Sequence, residues 1–211
     1  MKLTKLTLIF VLMMSVTGIV AAQTSGDVGA KNKQIEAQNA AMQKAVNDGA
    51  AAFTNKDYAA AIDIYHKAYS ADSTHPTAPI LLKNIAAVKL QRGIESFNTG
   101  SKTGDESLLT ASKADLIDAE NTSKNSLTVA KTNNYAPDKL APIIDVQKQI
   151  FSKISSVFFY IGSVNSDNQA LQKSADAAKA FLALATPNDP SRSEAEEILA
   201  ELRSSFNIVP K

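Results

Sequence analysis

The chain has no cysteine and no tryptophan. Disulfide frameworks, thiolate nucleophiles, cysteine-built zinc sites and lipid-modified cysteines are therefore excluded, and the fold is indifferent to the redox state around it. Aromatic residues make up only 6% of the sequence, while alanine is abundant. That balance suits close helix–helix packing better than a sandwich or a barrel. Glycine (8) and proline (7) are few and cluster between runs of helix formers, where breakers belong. A formal net charge of +1 supplies no field to draw in nucleic acid or an anionic membrane.

The residues of catalysis are equally sparse. Only two histidines exist, His66 and His75, and neither has a carboxylate or a second histidine four residues on. Both are expected as solvated surface imidazoles, with no metal held between them. No serine stands in a Gly-x-Ser-x-Gly turn, and no carboxylate pair is framed by apolar residues that would split their pKa values. Thr99-Gly-Ser-Lys-Thr-Gly104 carries two glycines but is not followed by Lys-Ser/Thr opening a phosphate-binding helix, so it is expected as a breaker between helices. The expectation is a chain with no enzyme activity and no cofactor.

What is present begins with a leader. Lys2 and Lys5 precede an apolar run of 11 residues, Leu6 to Val16, and Val20 and Ala22 stand at the −3 and −1 positions of a cleavage site. A membrane-spanning helix needs about 20 apolar residues. The reading is a signal peptide over 1–22, cleaved after Ala22, and a periplasmic or secreted product. Left uncleaved, the same segment would be the chain's one attachment to a membrane. Residues 23–29 read as a flexible lead-in, 30–206 as a helical domain and 207–211 as a C-terminal tail.

Within 30–206 the apolar period is that of helices throughout. Helices are expected from about Ala30 to Thr54, Tyr58 to Ala71, Ala78 to Phe97, Asp105 or Ser107 to Lys131, Asp138 or Pro142 to Val164, Gln169 to Ala185, and Ser191 or Ser193 to Leu202. Asp57 is placed to cap the second, and Pro79 sits in a tolerated first-turn position of the third. Ile80, Leu81, Leu82, Ile85, Val88 and Leu90 make the third helix apolar on more than one side, so it is expected at the centre. Glu120 to Asn125 makes the middle of the fourth helix polar, so one end of it is expected to be more exposed than the other, and Lys102, Lys113, Lys124 and Lys131 read as a solvated face. Tyr58, Tyr65 and Tyr69 share one helical face and read as core. Phe158 and Phe159 point in different directions, so one of them is expected to meet a groove or a partner.

The run from Ala45 to Ser70 resembles the tetratricopeptide repeat (TPR). Gly49 stands at its small-residue position, Asp57-Tyr58 at its turn, and Ala61, Ile62, Tyr65 and Ala68 on its second helix. Asn84, Ala86 and Gly93 match a second repeat, although Ile94 to Asn98 keep the helical period where that repeat would turn. AFLALATPNDPSRSEAEEILAELR is similar to a repeat's end, with Glu194, Glu196, Glu197, Glu201 and Arg203 giving a polar outer face. The period is not a clean 34 residues between 72 and 158, where the helices are too long. The resemblance implies an all-α fold, antiparallel hairpins stacked as a right-handed TPR-like array with irregular long helices in the middle. It also implies binding of a protein or peptide on a concave helical face. In such an array the first helix of each hairpin lines the groove, which singles out Gln43, Val46, Asn47, Ala50, Thr54, Lys83, Ala87 and Leu90. Val46 and Ala50 occupy the places where carboxylate-gripping members of the family carry Lys and Asn, so capture of a chain terminus is not implied. The other reading of the same residues is a helical carrier holding a small apolar ligand or lipid beside the helix from 142 to 164.

Overall fold

The computed structural model describes residues 27–211, so the expected leader and its cleavage site lie outside the described residues. Seven helices and no strand occur among them: α1 (Asp27–Thr54), α2 (Tyr58–Ala71), α3 (Ala78–Thr103), α4 (Glu106–Thr132), α5 (Pro137–Asn165), α6 (Asn168–Leu184) and α7 (Arg192–Phe206). The fold is all-α. The chain divides into two units at Gln38. In the first, Asp27–Gln38 is helix, so Asp27 to Gly29 are helical rather than lead-in, and Ile35 is exposed. The packing described below is that of residues 39–211. None of the described helices is long and apolar enough to cross a membrane.

Local chemistry explains where helices begin. Asp57, Asp105 and Asp167 each turn a carboxylate onto free N–H groups of the first turn, accepting from Ala60, from Ser107 and Leu108, and from Gln169 and Ala170. Proline fills the first turn of α3 and of α5, where a missing N–H costs nothing. One breaker departs from expectation. Thr99 to Thr103 are helix, and only Gly104, at φ 72°, ends it. Gly100 is there for proximity instead: a Cβ on it would lie 3.0 Å from the Asp105 carbonyl and from Leu108 Cβ. A glycine read as punctuation is a close-packing residue.

Each helix from α2 on lies against the next in sequence. At the α1–α2 hairpin the ring of Tyr65, 2% exposed, lies over Gly49, where any side chain would overlap it. Met42, Leu81, Ile85 and Val88 complete this cluster. The α3–α4 pair is the tightest. On α4 the buried positions Ser112, Leu116, Ala119, Ser123, Ser126 and Ala130 alternate four and three residues apart, a straight seam along the helix. All but Leu116 are small, which lets the two backbones approach, and Ser126 donates its hydroxyl to the Pro79 carbonyl of α3 at 2.7 Å. The polar middle of α4 is therefore partly core: Glu120 and Ser123 are both buried.

Leu90, Ile94 and Phe97 of α3 meet Leu116 of α4, Ile150, Ile154 and Phe158 of α5, and two alanines of α6 in the largest apolar cluster. Further along, Phe151, Ala178, Phe181 and Ala195 join α5, α6 and α7.

Candidate partner-binding face

The expected groove residues divide by helix. On α1, Gln43, Asn47 and Thr54 are exposed on one side. Gln43 donates its amide to Asn47 Oδ1 at 3.1 Å, and the Thr54 hydroxyl donates to the Ala50 carbonyl at 3.0 Å. Val46 is half-buried against the Tyr65 cluster, and Ala50, 4% exposed, lies beneath the surface. On α3, Leu90 is buried at 4% exposure and Ala87 packs against the central cluster. Lys83 is only 8% exposed, and burial alone pushes its ammonium pKa down. Ala50, Lys83 and Leu90 are thus corrected to interior positions. The reason is crowding, because α3 is flanked by α2, α4 and α5 and has no open side there for a groove. The exposed remainder is the α1 strip of Gln43, Asn47 and Thr54.

Charged groups near the faces mostly tie helices together. Glu95 of α3 accepts from Tyr58 at 2.7 Å, from Lys56 at 3.2 Å and from Gln91 at 3.3 Å. Burial raises its carboxyl pKa, but these donors more than offset that and hold it below the ordinary value. Burial pushes the Tyr58 phenol up to about 12, with the Glu95 carboxylate adding to the effect, so the phenol stays a donor. Arg92 grips Asp115 with two N–H groups across the α3–α4 seam. Lys113 donates to Asp167 at 3.0 Å, which steadies the cap of α6. Lys113 and Lys124 are accordingly pairing residues rather than free surface charge, Lys124 donating to Glu120 at 2.6 Å.

The two histidines are apart and differently used. His66 is exposed beside Ser70. His75, expected in solvent, is instead buried at 8% exposure. Its Nδ1 accepts the Thr77 N–H at 3.0 Å, which leaves Nε2 to donate to Asn39 Oδ1 at 2.9 Å. The ring staples α1 to the loop before α3, a role its Ser-Thr-His-Pro setting did not signal.

Beside α5, a shallow crevice is lined by Ser152, Ser155, Ser156, Ser191, Glu194, Ala195 and Ile198. It has no enclosed room for a small molecule. The Ser156 hydroxyl donates to Glu194 at 2.7 Å, and the Ser155 hydroxyl has no partner. No histidine lines it, so no serine there has an imidazole base at hand. Phe151 and Phe158 are buried in apolar clusters, and Phe159 lies edge-on to Phe206 with centroids 6.3 Å apart. Comparison with family models, curated proteins and solved structures finds no match to this chain.

Proposed function

We propose that this chain is a non-enzymatic, exported scaffold of tetratricopeptide-like architecture that holds a segment of a protein partner on a concave helical face. The observation that supports this best is the packing order. Beyond the contacts between consecutive helices, α3 also touches α5 and α5 touches α7. Stacked hairpins produce this alternation when the first helices of successive hairpins lie side by side. The Gly49–Tyr65 crossing and the acidic outer side of α7 accord with the first and last units of such a stack. Binding would fall to the α1 strip, where Gln43 and Asn47 offer amides to the backbone of an extended segment or the polar side of a helix.

The test is affinity recovery from an envelope extract of the source cells. Full chain is compared with a Gln43→Arg/Asn47→Arg variant, whose two exposed helix positions accept arginine without disturbing packing. A partner depleted at least about tenfold by the variant, some 1.4 kcal/mol, supports the reading. Equal recovery by both proteins overturns the α1 face. Export is read separately, by whether the N-terminus isolated from cells is Gln23.

A further inference from the structure

His75 works from both edges of one flat ring. Its Nδ1 accepts the Thr77 N–H at 3.0 Å, and its Nε2 donates to Asn39 Oδ1 of α1 at 2.9 Å. A main-chain N–H can only donate, so the Nδ1 lone pair is needed and the ring proton sits on Nε2. The neutral ring alone makes both contacts. Thr77 stands just before α3 and puts no hydroxyl of its own on the first turn. Its carbonyl accepts from Ile80 and Leu81 at 2.9 and 3.1 Å, so the ring holds the peptide from which α3 starts. On the other side, Asn39 precedes Gln43 and Asn47 by four and eight residues on α1.

A second proton on the ring goes to Nδ1, the nitrogen without a hydrogen. There it faces the Thr77 N–H, donor against donor, and that hydrogen bond is lost. A flat ring cannot turn one edge away without moving the other, so relief at Thr77 pulls Nε2 from Asn39. The ring is 8% exposed, which leaves water little access to replace either partner while it stays in place. On its own turn the charged neighbour is Asp72, which accepts the Thr74 N–H and hydroxyl at 3.1 and 2.8 Å. Those bonds above all, with attraction to a charged His75, hold the Asp72 carboxyl below its ordinary value, and the same attraction favours an imidazolium turned toward Asp72. The connection between α4 and α5 presents Tyr135, whose hydroxyl donates to the Pro76 carbonyl, and Lys67 of α2 is paired with Asp63 at 2.6 Å. Lys83, the first cation of α3, is shifted by burial alone, with no charge acting on it.

We propose that His75 is an acid-sensitive latch: the neutral ring ties Asn39 of α1 to the start of α3, and a proton at Nδ1 releases both. The latched state carries one proton fewer than the released one, so acid favours release and higher pH the latch. Histidine is the side chain whose ordinary charge change falls between pH 5 and 8, which sets the range in which the latch works. The latch does not depend on the role proposed for the α1 strip, because its test reads the latch itself.

That test is an NMR titration of the full chain from pH 8 to 5, following the His75 ring, the Thr77 amide and the Asn39 side-chain amide. As the ring charges, hydrogen-exchange protection at Thr77, corrected for intrinsic exchange, is expected to fall at least about fivefold, as for one lost hydrogen bond. The Thr77 and Asn39 signals should shift along the ring's own titration curve. His75→Asn puts an amide oxygen where Nδ1 stands and does not titrate, so its Thr77 protection should be the same at pH 8 and pH 5. Unchanged protection beside a charged ring overturns the latch, and so does a ring still neutral at pH 5. Equal loss of protection in His75→Asn and the unaltered chain overturns it too, because another group then drives the opening. Should His75→Asn not fold, His66→Asn decides, since the exposed His66 is the other imidazole of the chain. The transition at Thr77 should survive that change, and its disappearance overturns the latch.

Discussion

Gly162 lies on α5 where α6 comes closest, and the spacing makes a sharp prediction. A Cβ at this position would stand 2.7 Å from both Cγ and Cδ2 of Leu171 and 2.9 Å from the Leu171 backbone nitrogen. The leucine side chain could turn aside only into a packed neighbourhood, since it is 0% exposed. Its backbone nitrogen cannot turn aside at all, because its N–H closes the first turn of α6 on the Asp167 carbonyl at 3.0 Å. Gly162→Ala therefore forces α5 and α6 apart. Overpacking of this kind costs about 1–3 kcal/mol. Alanine's better helix propensity returns about 1 kcal/mol. The net expectation is a loss of about 0–2 kcal/mol, read as a lower urea midpoint with unchanged slope. In thermal unfolding the same loss is a fall of roughly 2–4 °C per kcal/mol. In a Leu171→Ala background, itself costing about 2–5 kcal/mol, the penalty at Gly162 should shrink but not vanish. The shrinkage reflects the lost side chain, and the remainder the backbone contact. A Gly162→Ala protein stabilised by about 1 kcal/mol would refute the reasoning, since only an open site lets propensity act alone.

Glu120, 5% exposed, accepts from Lys124 of α4 and Lys173 of α6. Burial raises its carboxyl pKa, but the two ammonium donors outweigh that and hold it below the ordinary 4.5. A depressed folded pKa gives stability that is present above the unfolded pKa and lost as pH falls through the folded one. Glu120→Gln should therefore cost about 2 kcal/mol at pH 7, and the gap from the unaltered chain in urea midpoint should narrow as pH falls below the ordinary 4.5. Ser112 is 0% exposed with an unpartnered hydroxyl, so Ser112→Ala should raise the urea midpoint by an equivalent of about 1 kcal/mol. For Lys83, burial depresses the folded pKa, so its charge costs stability at pH below that value and the cost fades as pH rises toward the ordinary 10.5. Lys83→Met should stabilise the chain by about 1–2 kcal/mol at pH 7, with a smaller gain near pH 10; an equal gain at both would refute the electrostatic cause.

The helices were legible because their signals are local. Asp57, Asp105 and the prolines at 79 and 137 act within one turn of themselves, and apolar period needs only a dozen residues to show. What escaped depends on neighbours distant in sequence. Hydropathy ranks the Ser123 and Ser126 stretch of α4 as surface, yet α3 accepts it as core because small hydroxyls can return their hydrogen bonds to a nearby backbone. Gly100 carries the same letter whether it breaks a helix or admits a neighbour, and only α4 decides which. His75 became a staple through Asn39, 36 residues away. The groove assignment failed at Lys83 and Leu90 for a similar reason. Periodicity says which residues share a face, but not whether another helix already covers it.

That limitation also points to where binding can occur. In a stack with helices packed in chain order, an interior helix spends its faces on neighbours, as α3 does on α2, α4 and α5. Free faces are then left at the ends of the order. Both phenylalanines expected to diverge do so within the chain: Phe158, 2% exposed, joins the central cluster, while Phe159 packs edge-on to Phe206. The α1 strip of Gln43, Asn47 and Thr54, exposed on one side, is therefore where substitutions directed at the proposed partner should be made first. Substitutions on α3 would alter stability before they altered recognition.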